Sequence, residues 1–486
     1  MDPYVQYMYS YPHKTAYRPL EGISLRDYAG QLEGKGHGLY IHVPFCQGKC
    51  GYCNLFSVTG QDPDAMGRYL DAVERQGRQY QEILKPYRTE FSEFTIGGGT
   101  PLLLPMGQLE RMFGVVRDCF VLEDGAEIGI ETAPNQTERR KLEFLKGAGV
   151  FRVSMGIQSF IDEELRALRR GHRASRAREA LELLMSVGFG CVNVDFIYGI
   201  PGQTVDSLQE SLREAIGFGV DEIFLYPLYV KHGAALVREG VVPDPDYAYR
   251  QYQEMSGYLR SEGFRQDSMR RFVREQRKEN GHRAPGCREE GQRDTGKKGT
   301  GIRRRFAECG FGTSLALGCG GRSYVGRLHF CTPYAVTQEG CLKQLRRFEA
   351  TEDFSAVQHG ILLSEEEQKR RYVIRHLLIR PGIALGRYEE LFGAPVCSDF
   401  PVLEKWIGEG WLRTEEDSQT AGGMRPGDGQ KPEGSQEFLA LTEEGMGLSD
   451  YLGPMLASAK IQRKMKEWEA VYEPRGGFVP GEPEKL

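Results

Sequence analysis

The sequence predicts an α/β protein: an open (β/α)6 partial TIM barrel with a small winged-helix-like C-terminal domain. Two observations predict it. Between about residues 36 and 230, short β-rich runs alternate with amphipathic stretches, as in a parallel sheet built from βα units. Beyond residue 230 that alternation stops, and Arg371–Leu391, Phe400–Trp411 and Phe438–Leu452 read as the helices and wing of a second, smaller unit. The strand-forming runs are Leu39–Val43, Glu93–Ile96, Glu127–Glu131, Arg152–Ile157, Val192–Ile197 and Glu222–Leu228. They are apolar with few alternations, as expected of strands covered on both faces. Between them, Asp64–Leu84, Met106–Cys119, Thr137–Gly147, Ala174–Val187 and Val205–Phe218 carry helical periodicity. A doubly wound sheet shares this pattern and is the competing arrangement.

The length of 486 residues suits two or three domains. The organisation reads as an N-terminal arm (1–35), a core barrel (36–273), an insertion (274–305), the end of the core with a Gly-rich segment (306–350), a C-terminal domain (360–456) and a flexible tail (472–486). The insertion holds eleven Lys/Arg, five Asp/Glu and six Gly with almost no apolar side chain. Such a composition buries too little surface to offset the entropy of ordering, so it reads as disordered; a polyanion-binding tail is the alternative. Glu415–Glu437 is a second Gly/Pro/charge-rich loop. A net charge of −5 gives no reason to expect nucleic acid or an anionic membrane. No apolar run approaches the roughly 20 residues of a membrane span. The first forty residues lack a signal-peptide core, so a cytoplasmic protein is expected. Eleven cysteines are too sparse for a disulfide scaffold, and a reducing compartment leaves thiols for metal.

Cys46, Cys50 and Cys53 form a C-x3-C-x2-C loop directly after the first strand. Thiolates are the usual ligands of iron–sulfur clusters, and four would close a [4Fe–4S] cube. Three leave one iron without a protein ligand, which is the open position that metal chemistry needs. A zinc site, Cys3His with His42, is the competing assignment. The second strand runs into Gly97-Gly98-Gly99-Thr100-Pro101, where three glycines let the backbone approach a ligand, or else make a tight turn with none. Glu131 ends the third strand, where a carboxylate can grip hydroxyls or merely cap a helix. Gln158 closes the fourth strand, and Asp195 lies within an apolar fifth, where a carboxylate is costly unless paired or bound. Arg170 is placed to pair with a ligand carboxylate or with Asp195, or to be a solvated helix charge. In a β/α barrel all these strand ends point to one face.

The cysteine spacing resembles the radical S-adenosylmethionine (SAM) superfamily. Leu39 through Cys46, Gly97 through Pro101, Ser154 through Phe160 and Gly199 through Thr204 together resemble its anaerobic coproporphyrinogen III oxidase and heme-chaperone branch. The resemblance implies a [4Fe–4S] cluster on Cys46, Cys50 and Cys53, with SAM chelated to the open iron. It implies SAM contacts from Tyr40, Gly98, Gly99, Thr100, Glu131, Gln158, Arg170 and Asp195. The implied chemistry is reductive SAM cleavage to a 5′-deoxyadenosyl radical, which takes a hydrogen atom from a small-molecule substrate. A porphyrinogen or heme is the candidate, and a flavodoxin or ferredoxin the electron donor. Heme transfer is the alternative function.

The Tyr9-Ser10-Tyr11-Pro12 arm resembles one that precedes the barrel in the oxidase, and five tyrosines in the first seventeen residues suit stacking on a macrocycle or plain docking. Two departures stand out. Leu55 occupies the position where the oxidase carries a further cysteine, and the chaperones' His-Asn-x-x-Tyr-Trp run is absent. Cys309, Cys319, Cys331 and Cys341 are spaced unlike any recognisable ligand set, and His232 and His329 read as structural or solvated.

Overall fold

All six predicted strands form one parallel sheet in chain order: β1 (His37–Val43), β2 (Glu90–Gly98), β3 (Val121–Thr132), β4 (Arg152–Gln158), β5 (Cys191–Tyr198) and β6 (Glu222–Pro227). Six further strands follow: β7 (Phe264–Gln266), β8 (Arg271–Arg274), β9 (Ser314–Leu317), β10 (Arg322–Val325), β11 (Leu328–Cys331) and β12 (His359–Leu362). With Arg18–Pro19 they make a 13-stranded sheet. β1 and β6 do not pair with each other: β9 adds to β1 in parallel, and β8 adds to β6 antiparallel. The barrel is therefore open. This is a computed structural model, and it describes residues 2–8, 10–231, 233–275, 312–416 and 436–472. Most of the basic insertion, the 417–435 part of the second loop, the tail after 472, and Tyr9, His232 and Cys309 lie outside the described residues.

The covering helices α1 (Pro63–Leu84), α2 (Met106–Cys119), α3 (Arg139–Gly147), α4 (Ala174–Val187) and α5 (Val205–Phe218) start and stop where their local chemistry dictates. Asp62 caps α1 by accepting from the Ala65 N–H, with Pro63 at the first position. Thr204 and Ser207 form a reciprocal capping box on α5, which ends at Gly219 with φ 84°. Helix side chains pack on one face of the sheet against Ile41, Phe94, Ile96, Val153, Val194, Phe196, Ile223 and Leu225, all fully buried. Each such side chain contributes about 1.5–3 kcal/mol.

The expectation of two apolar faces is corrected for the inner one. Successive side chains point to opposite faces of a strand. The residues that alternate with the apolar set include Tyr40, His42, Thr95, Glu131, Ser154, Asn193 and Asp195. Their side of the sheet is a polar lumen. At its floor, Arg152 Nε donates to Glu222 Oε2 at 2.8 Å, and Arg271 donates to the other carboxylate oxygen.

After the barrel, helices Glu365–Leu377, Leu385–Phe392 and Val402–Gly408 pack with an antiparallel sheet ordered Ile383–Ala384, Glu437–Leu441, Leu412–Glu416. They share a second core around Tyr388, Leu403, Trp406 and Leu412. The single stretch Arg371–Leu391 is in fact two helices. Gly382 breaks it at φ 108°, where a Cβ would lie 2.4 Å from the Leu439 carbonyl oxygen.

The N-terminal arm joins the two cores. Met8, Tyr11 and Tyr17 are buried in the C-terminal one. Tyr7 stacks on Tyr229, and Tyr4 packs against Tyr198, Tyr229 and Tyr249. The Met8 N–H donates to Asp450 Oδ1 at 3.0 Å, while Tyr229 and Arg270 donate to Oδ2. These tyrosines serve docking of the arm.

Candidate functional site

The chain leaves β1 through Pro44 into the short strand Phe45–Cys46, which pairs in parallel with Val58–Thr59 and so closes the cysteine loop at its base. Inside the loop, the Gly51 N–H donates to the Leu168 carbonyl and the Leu236 N–H to the Gly51 carbonyl, both at 2.9 Å. A Cβ on Gly51 would sit 3.0 Å from Leu236 Cγ, so packing fixes glycine there. Cys46, Cys50 and Cys53 are half-buried thiols with no disulfide. Burial pushes the Cys53 thiol up to about 11 and raises Cys46 as well.

The Gly97–Thr100 loop closes on the cysteine loop from β2. The Gly99 N–H bonds the Val43 carbonyl and the Thr100 N–H bonds the Phe45 carbonyl, both at 2.8 Å. Thr100 Oγ1 lies 3.9 Å from Cys46 Sγ. Every glycine of this run has a reason inside the chain. A Cβ on Gly97 would meet the Glu131 carboxylate at 2.9 Å, one on Gly98 the Val43 oxygen at 2.7 Å, and one on Gly99 the Phe45 oxygen at 2.6 Å and Cys46 Sγ at 2.9 Å. Gly98 also has φ 122°. Its N–H donates to Glu131 Oε2 at 3.1 Å.

Glu131 and Asp195 face one another electrostatically across the lumen. Glu131 is surrounded by protein yet reached by water. Burial pushes it up to about 7, against the Gly98 N–H, which works to lower it. Burial likewise pushes Asp195 up to about 6, against a 2.7 Å bond from Asn193 Nδ2 and the charges of Arg152 and Arg170. Gln158 sits at φ 76° beyond a register shift between β4 and β5, an irregularity of the kind that re-aims a side chain at a strand end.

Arg170 is not a solvated helix charge. It follows the short helix Asp162–Ala167, donates to Cys50 Sγ at 3.0 Å and to the Gly156 carbonyl, and leaves a buried Nε with no hydrogen-bond partner. Its contact is therefore the cysteine loop, and it acts on Asp195 only through its charge. Nine of the eleven residues singled out in the sequence lie on loops or at the C-terminal ends of strands, while Tyr40 and Asp195 lie within β1 and β5 on the polar inner face.

Three further residues belong to the site. His42 alternates with Tyr40 on β1 and accepts or donates at both ring nitrogens, to Phe56 O at 2.9 Å and Tyr40 Oη at 3.2 Å. Burial holds its pKa near 4. With both nitrogens engaged it is poorly placed as a fourth zinc ligand. Among the described residues no three His, Cys, Asp or Glu side chains converge as a single ion requires. Asn193 alternates with Asp195 and bridges it to Ser154 Oγ, the latter at 2.6 Å. His172 is buried with Nε2 unpartnered. Parity along the strands is the signal that could have found His42 and Asn193. By contrast, His329 is fully buried against Tyr324.

The donor set fits an iron–sulfur cluster with SAM. Among the described residues it offers three thiols on one loop, a guanidinium with an unused buried donor beside one of them, and a polar strand face that carries Ser154, Asn193 and Asp195. The raised pKa values give a first prediction. Glu131 and Asp195 bind protons more tightly in the folded chain than in the unfolded one. Their contribution to stability is full below the unfolded carboxyl range near pH 4 and is lost as pH rises through about 6–7. Metal-free native chain should therefore lose thermal stability between pH 5 and 8 relative to an E131Q/D195N variant, measured by calorimetry. Parallel pH profiles would contradict the assignment.

Residues 40–215 match the model of the Radical SAM superfamily, and the chain carries a radical SAM domain. Its relatives include heme chaperones and an oxygen-independent coproporphyrinogen III oxidase. It is 36% identical over 245 residues to the heme chaperone HemW of Mycobacterium tuberculosis, covering 48% of this chain and 61% of that protein. It is 27% identical over 272 residues to the oxygen-independent coproporphyrinogen III oxidase of Paracoccus denitrificans, covering 54% and 60%. The matches thus span about three fifths of those relatives' lengths. The solved structure of coproporphyrinogen III oxidase (HemN) from Escherichia coli superposes with TM-score 0.72 over 93% of this chain and 96% of that one, at 21% identity. That fold is shared along nearly the whole chain. No described helix is long and apolar enough to cross a membrane.

Proposed function

We propose that the chain is a radical SAM enzyme of the coproporphyrinogen III oxidase-like kind. Cys46, Cys50 and Cys53 would hold a [4Fe–4S] cluster, and Gly98, Gly99, Thr100, Glu131, Gln158, Arg170 and Asp195 would line the SAM position, flanked by Tyr40. When bound, a reduced cluster would give one electron to the SAM sulfonium, whose C–S bond would break to leave methionine and a carbon radical able to remove a hydrogen atom from a substrate. The chain's part is placement. Arg170 sets a fixed positive charge against Cys50, Glu131 and Asp195 offer acceptors for hydroxyl or amino groups, and the apolar outer face of the sheet keeps the lumen rigid. The observation that carries this reading is the meeting of the cysteine loop, the Gly97–Thr100 loop and Arg170 at one mouth. The relatives' names point to a porphyrinogen as substrate.

Heme transfer is the second reading, favoured by the 36% identity to a heme chaperone and by Leu55, which is 48% exposed and carries no thiol beyond the cluster loop. The test is anaerobic reconstitution of the full chain with iron and sulfide, then SAM and dithionite. Native protein should release 5′-deoxyadenosine, and a C46A/C50A/C53A variant should release none and retain no iron. Stoichiometric heme uptake without any 5′-deoxyadenosine would replace the first reading with the second.

A further inference from the structure

A run of aromatic rings leads away from the neighbourhood of the cysteine loop, and the chemistry above does not use it. It begins on β6, where Phe224 pairs with Asp195 and Tyr226 with Ile197, so both rings lie on the face of the sheet that carries Asp195. Tyr226 and Tyr52 of the cysteine loop pack against one small apolar cluster that holds Leu168, Ile197 and Leu236. From Tyr226 the rings continue in contact. Tyr7 meets Tyr226 edge-on at 6.1 Å between ring centres and stacks on Tyr229, also at 6.1 Å. Tyr229 meets Tyr4 at 6.4 Å, and Tyr4 meets Tyr249 at 6.5 Å. Tyr249 lies on the helix Pro245–Ser261 and is half-buried, so the run ends where solvent reaches it.

Docking of the arm needs these rings but not their hydroxyls. The hydroxyl oxygens of Tyr4 and Tyr198 are buried with no hydrogen-bond partner among the described residues, a desolvation cost that phenylalanine would avoid. The Tyr229 hydroxyl donates to Asp450, a fully buried carboxylate. What a phenol adds to a packed ring is the ability to give up an electron once its proton has an acceptor, and Asp450 is that acceptor beside Tyr229. We propose that Tyr226, Tyr7, Tyr229, Tyr4 and Tyr249 form a one-electron relay that quenches a carbon radical left at the mouth without substrate. This rests on the reading of the mouth as a radical site. The radical takes a hydrogen atom from the Tyr226 hydroxyl: a C–H bond forms, the weaker O–H bond breaks, and a tyrosyl radical remains. Each ring in turn returns one electron, and the proton it sheds, toward Tyr226; at Tyr229, Asp450 holds that proton in transit. A soluble thiol at Tyr249 supplies the last electron and proton and is itself oxidised to the disulfide.

The test uses metal-free full-length chain with a ruthenium polypyridyl photo-oxidant attached to the thiols of the cysteine loop and pentaamminechlorocobalt(III) as the electron acceptor, so no SAM cleavage is involved. Illumination creates an oxidising equivalent at the mouth, and a nitroso spin trap with peptide mass spectrometry reports which tyrosines become radicals. Tyr247 is the internal reference, because it is exposed, lies two residues from Tyr249 and takes no part in the ring contacts. The C46A/C50A/C53A chain, labelled alike on its remaining thiols, gives the background. In the native chain the ratio of Tyr249 to Tyr247 adducts should exceed the background ratio at least fivefold. Y7F/Y229F keeps the rings and removes two hydroxyls, and it should bring the ratio down to background; Y226F should do the same. Circular dichroism checks that each variant is folded; if Y7F/Y229F is not, Y226F decides. A native ratio at background, or a ratio undiminished in the folded variants, would overturn the proposal. A ratio that collapses in the variants while no 5′-deoxyadenosine forms in the enzyme assay would leave the relay standing and remove only the catalytic reading.

Discussion

Glu222→Ala is expected to destabilise the folded chain by about 3–5 kcal/mol, the usual cost of removing one partner from a buried ion pair. Glu222 is 3% exposed and accepts from both Arg152 (7%) and Arg271 (4%). Burial works to raise its pKa, but the two guanidiniums outweigh it and hold the carboxyl at about 2. Alanine leaves two buried guanidiniums facing each other across the barrel floor, with Asp267 within 4.0 Å of Arg271 as partial relief. A carboxyl with a lowered pKa stabilises the fold above its unfolded pKa, and the gain disappears as pH falls through the folded value. The native chain should therefore lose stability between about pH 4.5 and 2 from this group, and the variant should lose less over that window. Denaturant titrations at pH 7 and pH 3 check both statements. A loss below about 1 kcal/mol would mean that the floor is solvated.

Gly98→Ala should be the most damaging single-atom addition at the mouth. Its φ of 122° lies where an L side chain is strained by about 1–3 kcal/mol, and the added Cβ would stand 2.7 Å from the Val43 oxygen and 2.9 Å from the His42 ring. Neither neighbour is the end of a flexible chain. The loop must shift, and with it the N–H that Glu131 accepts. The expected result is a melting temperature lower by several degrees and loss of most SAM affinity, at least tenfold by calorimetry on reconstituted protein. Gly48→Ala, where an added Cβ meets nothing within 4 Å, is the control and should change neither. Equal behaviour of the two variants would show that the glycine run is not the cradle.

What the sequence revealed and concealed follows from which interactions are local. Helices such as Met106–Cys119, Ala174–Val187 and Val205–Phe218 are legible to the residue, because their periodicity is written within a few positions and glycines end the last two. The six core strands are legible as apolar runs. Their inner face is not, because the lumen-facing Asn193, Asp195 and Ser154 sit among apolar neighbours that dominate the run. Strands β7 to β12 escape a sequence reading because they are three or four residues long and owe their existence to partners far along the chain. The candidate site residues could be named from the motifs that carry the family resemblance, but their contacts could not: Arg170 reaches Cys50, 120 positions away, and Lys14 reaches Tyr334 in the second half of the chain.

The central claim is that the Cys46–Cys53 loop holds a cluster with one iron left open to SAM. Electron paramagnetic resonance of anaerobically reconstituted, dithionite-reduced chain tests it most directly. The account predicts about four irons per chain and a reduced [4Fe–4S] signal whose g values change when SAM is added, both absent from C46A/C50A/C53A. Zinc in place of iron, or a cluster signal indifferent to SAM, would contradict it.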